Sequence, residues 1–154
     1  MMVVGILRFL AVIAFVLIDA ATLPAKAEPV AASDVDVIDG GTIRTRGKTV
    51  TLLGYDTPRR GPRALCRTET TVRAMATVKL RELVAVGNLS LTIVPCPCGQ
   101  LSRGTIFCNR GRACGVLRRG GENVGDMLIR EKLAREFICG ETRCPPRKIA
   151  RWCE

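Results

Sequence analysis

The residues of this chain that could do chemistry are acids and arginines, gathered in three short stretches. "VIDGGTI" (Val37 to Ile43) carries Asp39; "YDTPRRGPR" (Tyr55 to Arg63) carries Asp56, Thr57, Arg59, Arg60 and Arg63; "NRGRACGVL" (Asn109 to Leu117) carries Arg110 and Arg112. There is no histidine among the 154 residues. That removes the commonest general base, the Ser-His and Cys-His nucleophile pairs and histidine-ligated zinc. Hydrolysis by such a chain has to rest on carboxylates, a metal ion and arginines, whose forked donors suit phosphate oxygens. Gly40-Gly41 can be a tight turn, a phosphate cradle or the place of a missing side chain. No helix follows to present its N-terminus, which weighs against the cradle.

The elements that must position these residues are legible as periodicities. From Ala31 to Tyr55 apolar and polar residues alternate, with turns at Gly40-Gly41 and Arg46-Gly47-Lys48, predicting a three-stranded meander. Pro58 and Pro62 make "YDTPRRGPRALC" a loop. Val72, Ala76, Leu80, Leu83 and Val84 recur at helical steps from Thr68 to Val86. "LSLTIV" (Leu89 to Val94) and "CGVLRR" (Cys114 to Arg119) are a fourth and a fifth strand, separated by a cysteine-rich insert from Pro95 to Arg110. "NVGDMLIREKLAREF" (Asn123 to Phe137) reads as a second helix whose inward face begins with Val124, Met127 and Leu128 and ends with Leu133 and Ala134. Five strands, with helices after the third and the fifth, predict a mainly β, α+β domain. The architecture expected is a five-stranded oligonucleotide-binding barrel with two or three packed helices and a groove. A fold of this kind does not by itself fix a function.

Residues 1–27 are set apart. Arg8 precedes an apolar run from Phe9 to Ile18, and Ala25-Lys26-Ala27 has the small-x-small form of a signal-peptidase site, so they read as an export signal cleaved after Ala27. Asp19 closes the run short of the roughly 20 residues of a spanning helix. The leader carries Arg8, Lys26 and Asp19, a net of one positive charge; its removal takes the net charge from +10 to +9 on a single domain, residues 28–154. Such an excess suits polyanionic partners, namely nucleic acid, phosphate groups or an anionic surface, and by charge alone suits a merely soluble basic surface about equally. Cys66, Cys96, Cys98, Cys108, Cys114, Cys139, Cys144 and Cys153 all lie beyond the leader. Paired zinc-ribbon spacings are absent, and eight cysteines in an exported chain predict disulfides rather than zinc thiolates. Their connectivity is open among 105 pairings.

Taken together and in order, "VIDGGTI", "LLGYDTPRRG", "NRGRACGVL" and "VGDMLIREKLAR", closed by Trp152-Cys153, resemble the thermonuclease (staphylococcal nuclease-like) family over about 120 residues, Asp34 to Cys153. The resemblance implies an oligonucleotide-binding barrel that hydrolyses DNA and RNA with calcium. In the family's pattern an Asp-Gly-Asp-Thr turn and the Asp of Asp-Thr-Pro-Glu supply carboxylates to the metal, a Thr adds a carbonyl, the Glu activates water, and two arginines hold the phosphate. Carried over residue by residue, Asp39, Gly40 and Thr42 match the first turn, with Gly41 in place of its second Asp. Asp56, Thr57 and Pro58 match the second motif, with Arg59 in place of its Glu. The early arginine falls on Thr51, and Arg112 is retained, preceded by Arg110-Gly111 where the family has Tyr-Gly.

Against that pattern Gly41 marks a deleted metal ligand, although a glycine also eases a hairpin turn. Asp56, Thr57 and Asp39 are left as calcium candidates, too few carboxylates for tight binding. Arg59 puts a cation, unable to accept a proton, where the general base belongs. Asp36 and Asp39 otherwise read as a solvated strand face, and Glu69 as a helix-start carboxylate. What is retained is cationic: Arg59, Arg60, Arg63, Arg110 and Arg112 as phosphate-binding residues. For stacking there are only Tyr55, Phe107, Phe137 and Trp152.

The leading expectation is a monomeric periplasmic or secreted protein that binds nucleic acid or another polyanion through a basic groove, with phosphodiester hydrolysis impaired or lost. One alternative is an active calcium-dependent nuclease with a rearranged site built on Asp56, Asp39 and Arg112. Another is a cell-envelope interaction module using the insert from Cys96 to Cys114.

Overall fold

A computed structural model describes residues 25–58, 66–146 and 152–153. The export signal therefore lies largely outside the described residues, with only its last three inside. The meander forms as its alternation predicts: β2 (Val35–Asp39), β3 (Thr42–Thr45) and β4 (Lys48–Leu52), paired antiparallel. Their inward residues Val37, Ile43, Val50 and Leu52 are buried. In β6 (Leu89–Val94) and β7 (Ala113–Arg119), Leu89, Leu91 and Leu117 point into the same core.

A strand absent from the sequence-based expectation precedes these: β1 (Glu28–Val30), three residues long, pairs with β6. The sheet runs β1-β6-β7-β4-β3-β2, with β4 and β7 parallel, and the two-residue β8 (Glu122–Asn123) pairs with β7. It is a curled six-stranded layer in an α+β fold. Segment 28–39 bonds to β6 through its first part and to β3 through its last, with a short 3-10 turn at Ala32–Asp34 between them. Both edges of the sheet are thus one continuous piece of chain.

Helix α1 (Arg67–Ala85) covers the sheet where its period predicts, burying Ala76, Leu80, Leu83 and Val84. Full burial of each leucine contributes about 1.5–3 kcal/mol. The Cys66 sulfur caps it by accepting from the Glu69 N–H, and the Arg81 guanidinium donates to the Val37 carbonyl on β2.

All eight cysteines are paired, as Cys66–Cys153, Cys96–Cys114, Cys98–Cys108 and Cys139–Cys144, leaving no thiolate for zinc. Two of the bridges staple the insert, one within itself and one to β7. A third fastens the C-terminal tail to the start of α1.

Two expectations need correction. "YDT" is not simply loop, because β5 (Gly54–Asp56) is a strand paired with β9 (Arg135–Phe137), placing Asp56 opposite Arg135. The second helix is shorter than its period suggests: α2 spans Val124–Arg130. It ends because Lys132 adopts a left-handed conformation (φ 59°), while Leu133 N–H donates to Leu128 O and Lys132 N–H to Ile129 O. This is the Schellman stop, with lysine where glycine normally sits. Leu133 and Ala134 are still buried, as their spacing suggests, but from a turn leading into β9. Replacing Lys132 by glycine relieves the left-handed cost of a side chain, partly offset by glycine's freedom in the unfolded chain. Chemical denaturation should find Lys132→Gly more stable by about 0.5–1 kcal/mol, and Lys132→Val less stable than the parent.

Candidate functional site

The turn after β2, the end of β4, strand β5, helix α1 and the insert all open onto one groove of about 690 Å³. Asp39, Gly41, Thr51, Asp56, Thr57, Arg110 and Arg112, far apart in sequence, line it together. Arg59, Arg60 and Arg63 fall at positions 59–65, outside the described residues.

The floor is built on Tyr55. This side chain is buried, and its hydroxyl donates to the Gly40 carbonyl at 2.9 Å, tying β5 to the β2–β3 turn. Gly40 in turn lies against α1: a Cβ there would come within 2.9 Å of the Ala76 Cβ and 3.1 Å of Thr57 Cγ2. The Tyr55 ring packs so closely on the first turn of α2 that a Cβ on Gly125 would meet it at 2.3 Å. Two glycines are therefore needed for contact, and Gly41 is not one of them. Its φ is outside the left-handed region, and a Cβ would have ordinary contacts, 3.5 Å to Thr57 Oγ1 and 4.0 Å to Asp39 Oδ1. The turn does not require a glycine at position 41, and a carboxylate there would enter the groove beside Asp39.

Asp39 corrects the expectation of a solvated strand face. The register shifts between Val37 and Asp39, and this irregularity breaks the alternation of β2 and turns Asp39 into the groove. Its Oδ1 accepts from the Gly41 N–H at 3.0 Å. Asp36, ahead of the shift, does lie on the exposed face beside Arg44 at 3.7 Å. Glu69 is a first-turn carboxylate of α1 as its position predicts, but it is buried and does not line the groove.

Arg112 is aimed by Asn109, a residue sequence reasoning missed. Arg112 Nε donates to the Asn109 carbonyl and Nη2 to Asn109 Oδ1, both at 3.1 Å. The Asn109 amide donates to Thr51 Oγ1 at 3.1 Å and to the Arg112 carbonyl at 3.3 Å. Thr51 thus helps, through Asn109, to hold Arg112. Asn109, Arg110 and Gly111 have φ of 49°, 57° and 73°, three left-handed residues in a row. Arg110 costs about 1–2 kcal/mol there and Asn109 less, since asparagine tolerates this region, and the flanking bridges through Cys108 and Cys114 hold the turn in place. An Asn-x-Gly sequence is the one local signal for such a turn. Arg73, on α1, was also missed and lines the opposite wall.

The described lining residues include three arginines (Arg73, Arg110, Arg112) and two aspartates (Asp39, Asp56). No group of three or more cysteine, aspartate or glutamate side chains suited to a metal is found among the described residues. Calcium takes six to eight oxygens, usually from several carboxylates. Asp39 and Asp56 with Thr57, sharing the groove with three arginines and with one Asp39 oxygen already bonded to the turn, do not fit tight calcium binding. Tyr55 is no acid or base here, because burial, and then the nearby Asp39 carboxylate, push its phenol far above its ordinary value of 10.0. The chain matches no protein-family model and no curated protein.

Tyr55 is the chain's single tyrosine, so tyrosinate absorbance reports on the groove floor alone. The folded state favours the protonated phenol. Its contribution to stability is therefore complete below the unfolded value near 10 and is lost as the pH rises above it. In an alkaline titration tyrosinate should appear only together with unfolding followed by circular dichroism. A separate tyrosinate transition near pH 10 with the fold intact would contradict this packing.

Proposed function

We propose that the chain is a thermonuclease-like protein that binds nucleic acid or another polyanion in this groove and lacks efficient phosphodiester hydrolysis. The observation that carries this reading is the meeting of Asp39, Asp56, Thr57, Arg110 and Arg112, from separate motifs, in a single groove where arginines outnumber acids. The curled sheet is, on this reading, a closed five-stranded oligonucleotide-binding barrel. Segment 28–39 serves as one bent strand, giving five strands in all with β3, β4, β7 and β6.

The chemistry follows from the donors. Arg112, pre-aimed by Asn109, presents a guanidinium to phosphate oxygens, and Arg73 and Arg110 add charge along the path of a backbone. On this reading the position of the family's general base is taken by Arg59, which cannot accept a proton. Loss of that base alone costs about 10²–10⁴ in rate. Pairing of all eight cysteines supports an oxidising compartment, the periplasm or the exterior. Among the described residues no helix is long and apolar enough to cross a membrane.

Binding of a labelled single-stranded oligonucleotide, followed by anisotropy over a range of salt concentrations, tests the reading. Each neutralised phosphate contributes a slope of about −0.7 in log K against log salt for single strands. Three groove arginines predict a slope of about −2 or steeper, and Arg112→Gln should make it shallower by about 0.7. Absence of binding at low salt, or binding indifferent to salt, would refute it.

A further inference from the structure

We propose that Phe107 is the stacking platform of the groove, so that the polyanion this site selects is one bearing unpaired nucleobases; the proposal rests on the polyanion-binding reading above. Four aromatic residues are open to that role by sequence, and the fold commits three of them elsewhere. Tyr55 is buried beneath α2. Phe137 is half-buried in β9 and engaged there. Trp152 has its ring face covered by the Arg135 guanidinium, 4.8 Å from the centroid. Phe107 alone is 86% exposed while lining the groove with the arginines.

The backbone that carries Phe107 is restrained before any ligand arrives. Its N–H donates to Thr105 Oγ1 at 3.2 Å, and that of the next residue, Cys108, to the Thr105 carbonyl at 3.1 Å. Cys108 is buried and cross-linked to Cys98. With the backbone held this way, only the two side-chain torsions of Phe107 are left to order when a base covers its apolar surface. The guanidinium groups of Arg73 and Arg110, on the same groove, make no hydrogen bond or ion pair among the described residues. They are available to the phosphates on either side of a stacked base. A base-free polyanion offers the arginines charge and offers Phe107 nothing. A duplex keeps its base faces covered by one another. Selection therefore favours single strands over both.

Anisotropy with a dye-labelled oligothymidylate, set beside inorganic polyphosphate as a base-free probe, tests this on the full, oxidised protein. The wild type should bind both at low salt. Phe107→Ala should weaken the oligothymidylate about 5–10-fold and leave polyphosphate unchanged, and Phe107→Trp should restore the loss. A ring so exposed can be replaced without disturbing the core. An equal loss for both probes, or no loss for the oligothymidylate, would overturn the proposal while leaving polyanion binding intact. Loss of binding to phosphatidylglycerol vesicles with oligothymidylate affinity unchanged would also overturn it, and would assign Phe107, with exposed Leu101 and Ile106, to a lipid surface. If the wild type binds neither polyanion, the groove reading falls and this proposal falls with it.

Discussion

The hydrogen bond from the Tyr55 hydroxyl to the Gly40 carbonyl fixes the geometry on which the groove depends. A neutral bond of this kind contributes about 1 kcal/mol net, but a buried carbonyl left without a partner costs about 1–3 kcal/mol. Around it the chain has two close approaches that exclude any side chain: Gly40 against Ala76 of α1, and Gly125 beneath the tyrosine ring. Through these contacts the β2–β3 turn, β5, α1 and α2 are locked together, and Asp39, Asp56 and Thr57 are carried to the same wall. The β5–β9 ribbon, held to α2 by the Schellman turn, closes the arrangement from behind.

The opposite wall is held by covalent means. The insert is too short and too irregular to bury a core of its own, and its consecutive left-handed residues are costly. The Cys98–Cys108 and Cys96–Cys114 bridges restrain it, and Asn109 passes that rigidity to Arg112. A groove with one wall fixed by packing and the other by disulfides presents its charges without first having to order them. Its balance of charge among the described lining residues suits anions better than a divalent cation: a carboxylate at position 41 would have space, but the residue is glycine, and Thr51 supports Arg112 through Asn109.

Much of this was legible in the sequence. Alternation locates β2, β3 and β4, a helical period locates α1, and apolar runs locate β6 and β7. The comparison of motifs names Asp39, Gly41, Thr51, Asp56, Thr57, Arg110 and Arg112, which the fold brings to one groove. The misses have particular causes. β1, β5 and β9 are three residues each, too short to show a period. The end of α2 was hidden because lysine occupies the left-handed position that glycine usually signals. Asp39 reads two ways, as a site residue by motif and as a solvated strand face by alternation, and the second reading fails because a register shift is invisible to a period of two. Arg73 looked like any solvent-facing residue of an amphipathic helix, and only the packing of α1 against β2 and the turn places it over the groove.

The central claim, that a site of this pattern has become one that holds phosphates without cleaving them, is tested most directly by incubating the purified, oxidised protein with plasmid DNA and calcium and following strand scission on gels. The account predicts no nicking beyond that of a parallel preparation carrying Asp56→Ala. Calcium-dependent scission by the wild type that disappears in Asp56→Ala would contradict it, and would make the two carboxylates and Arg112 a working, rearranged nuclease site.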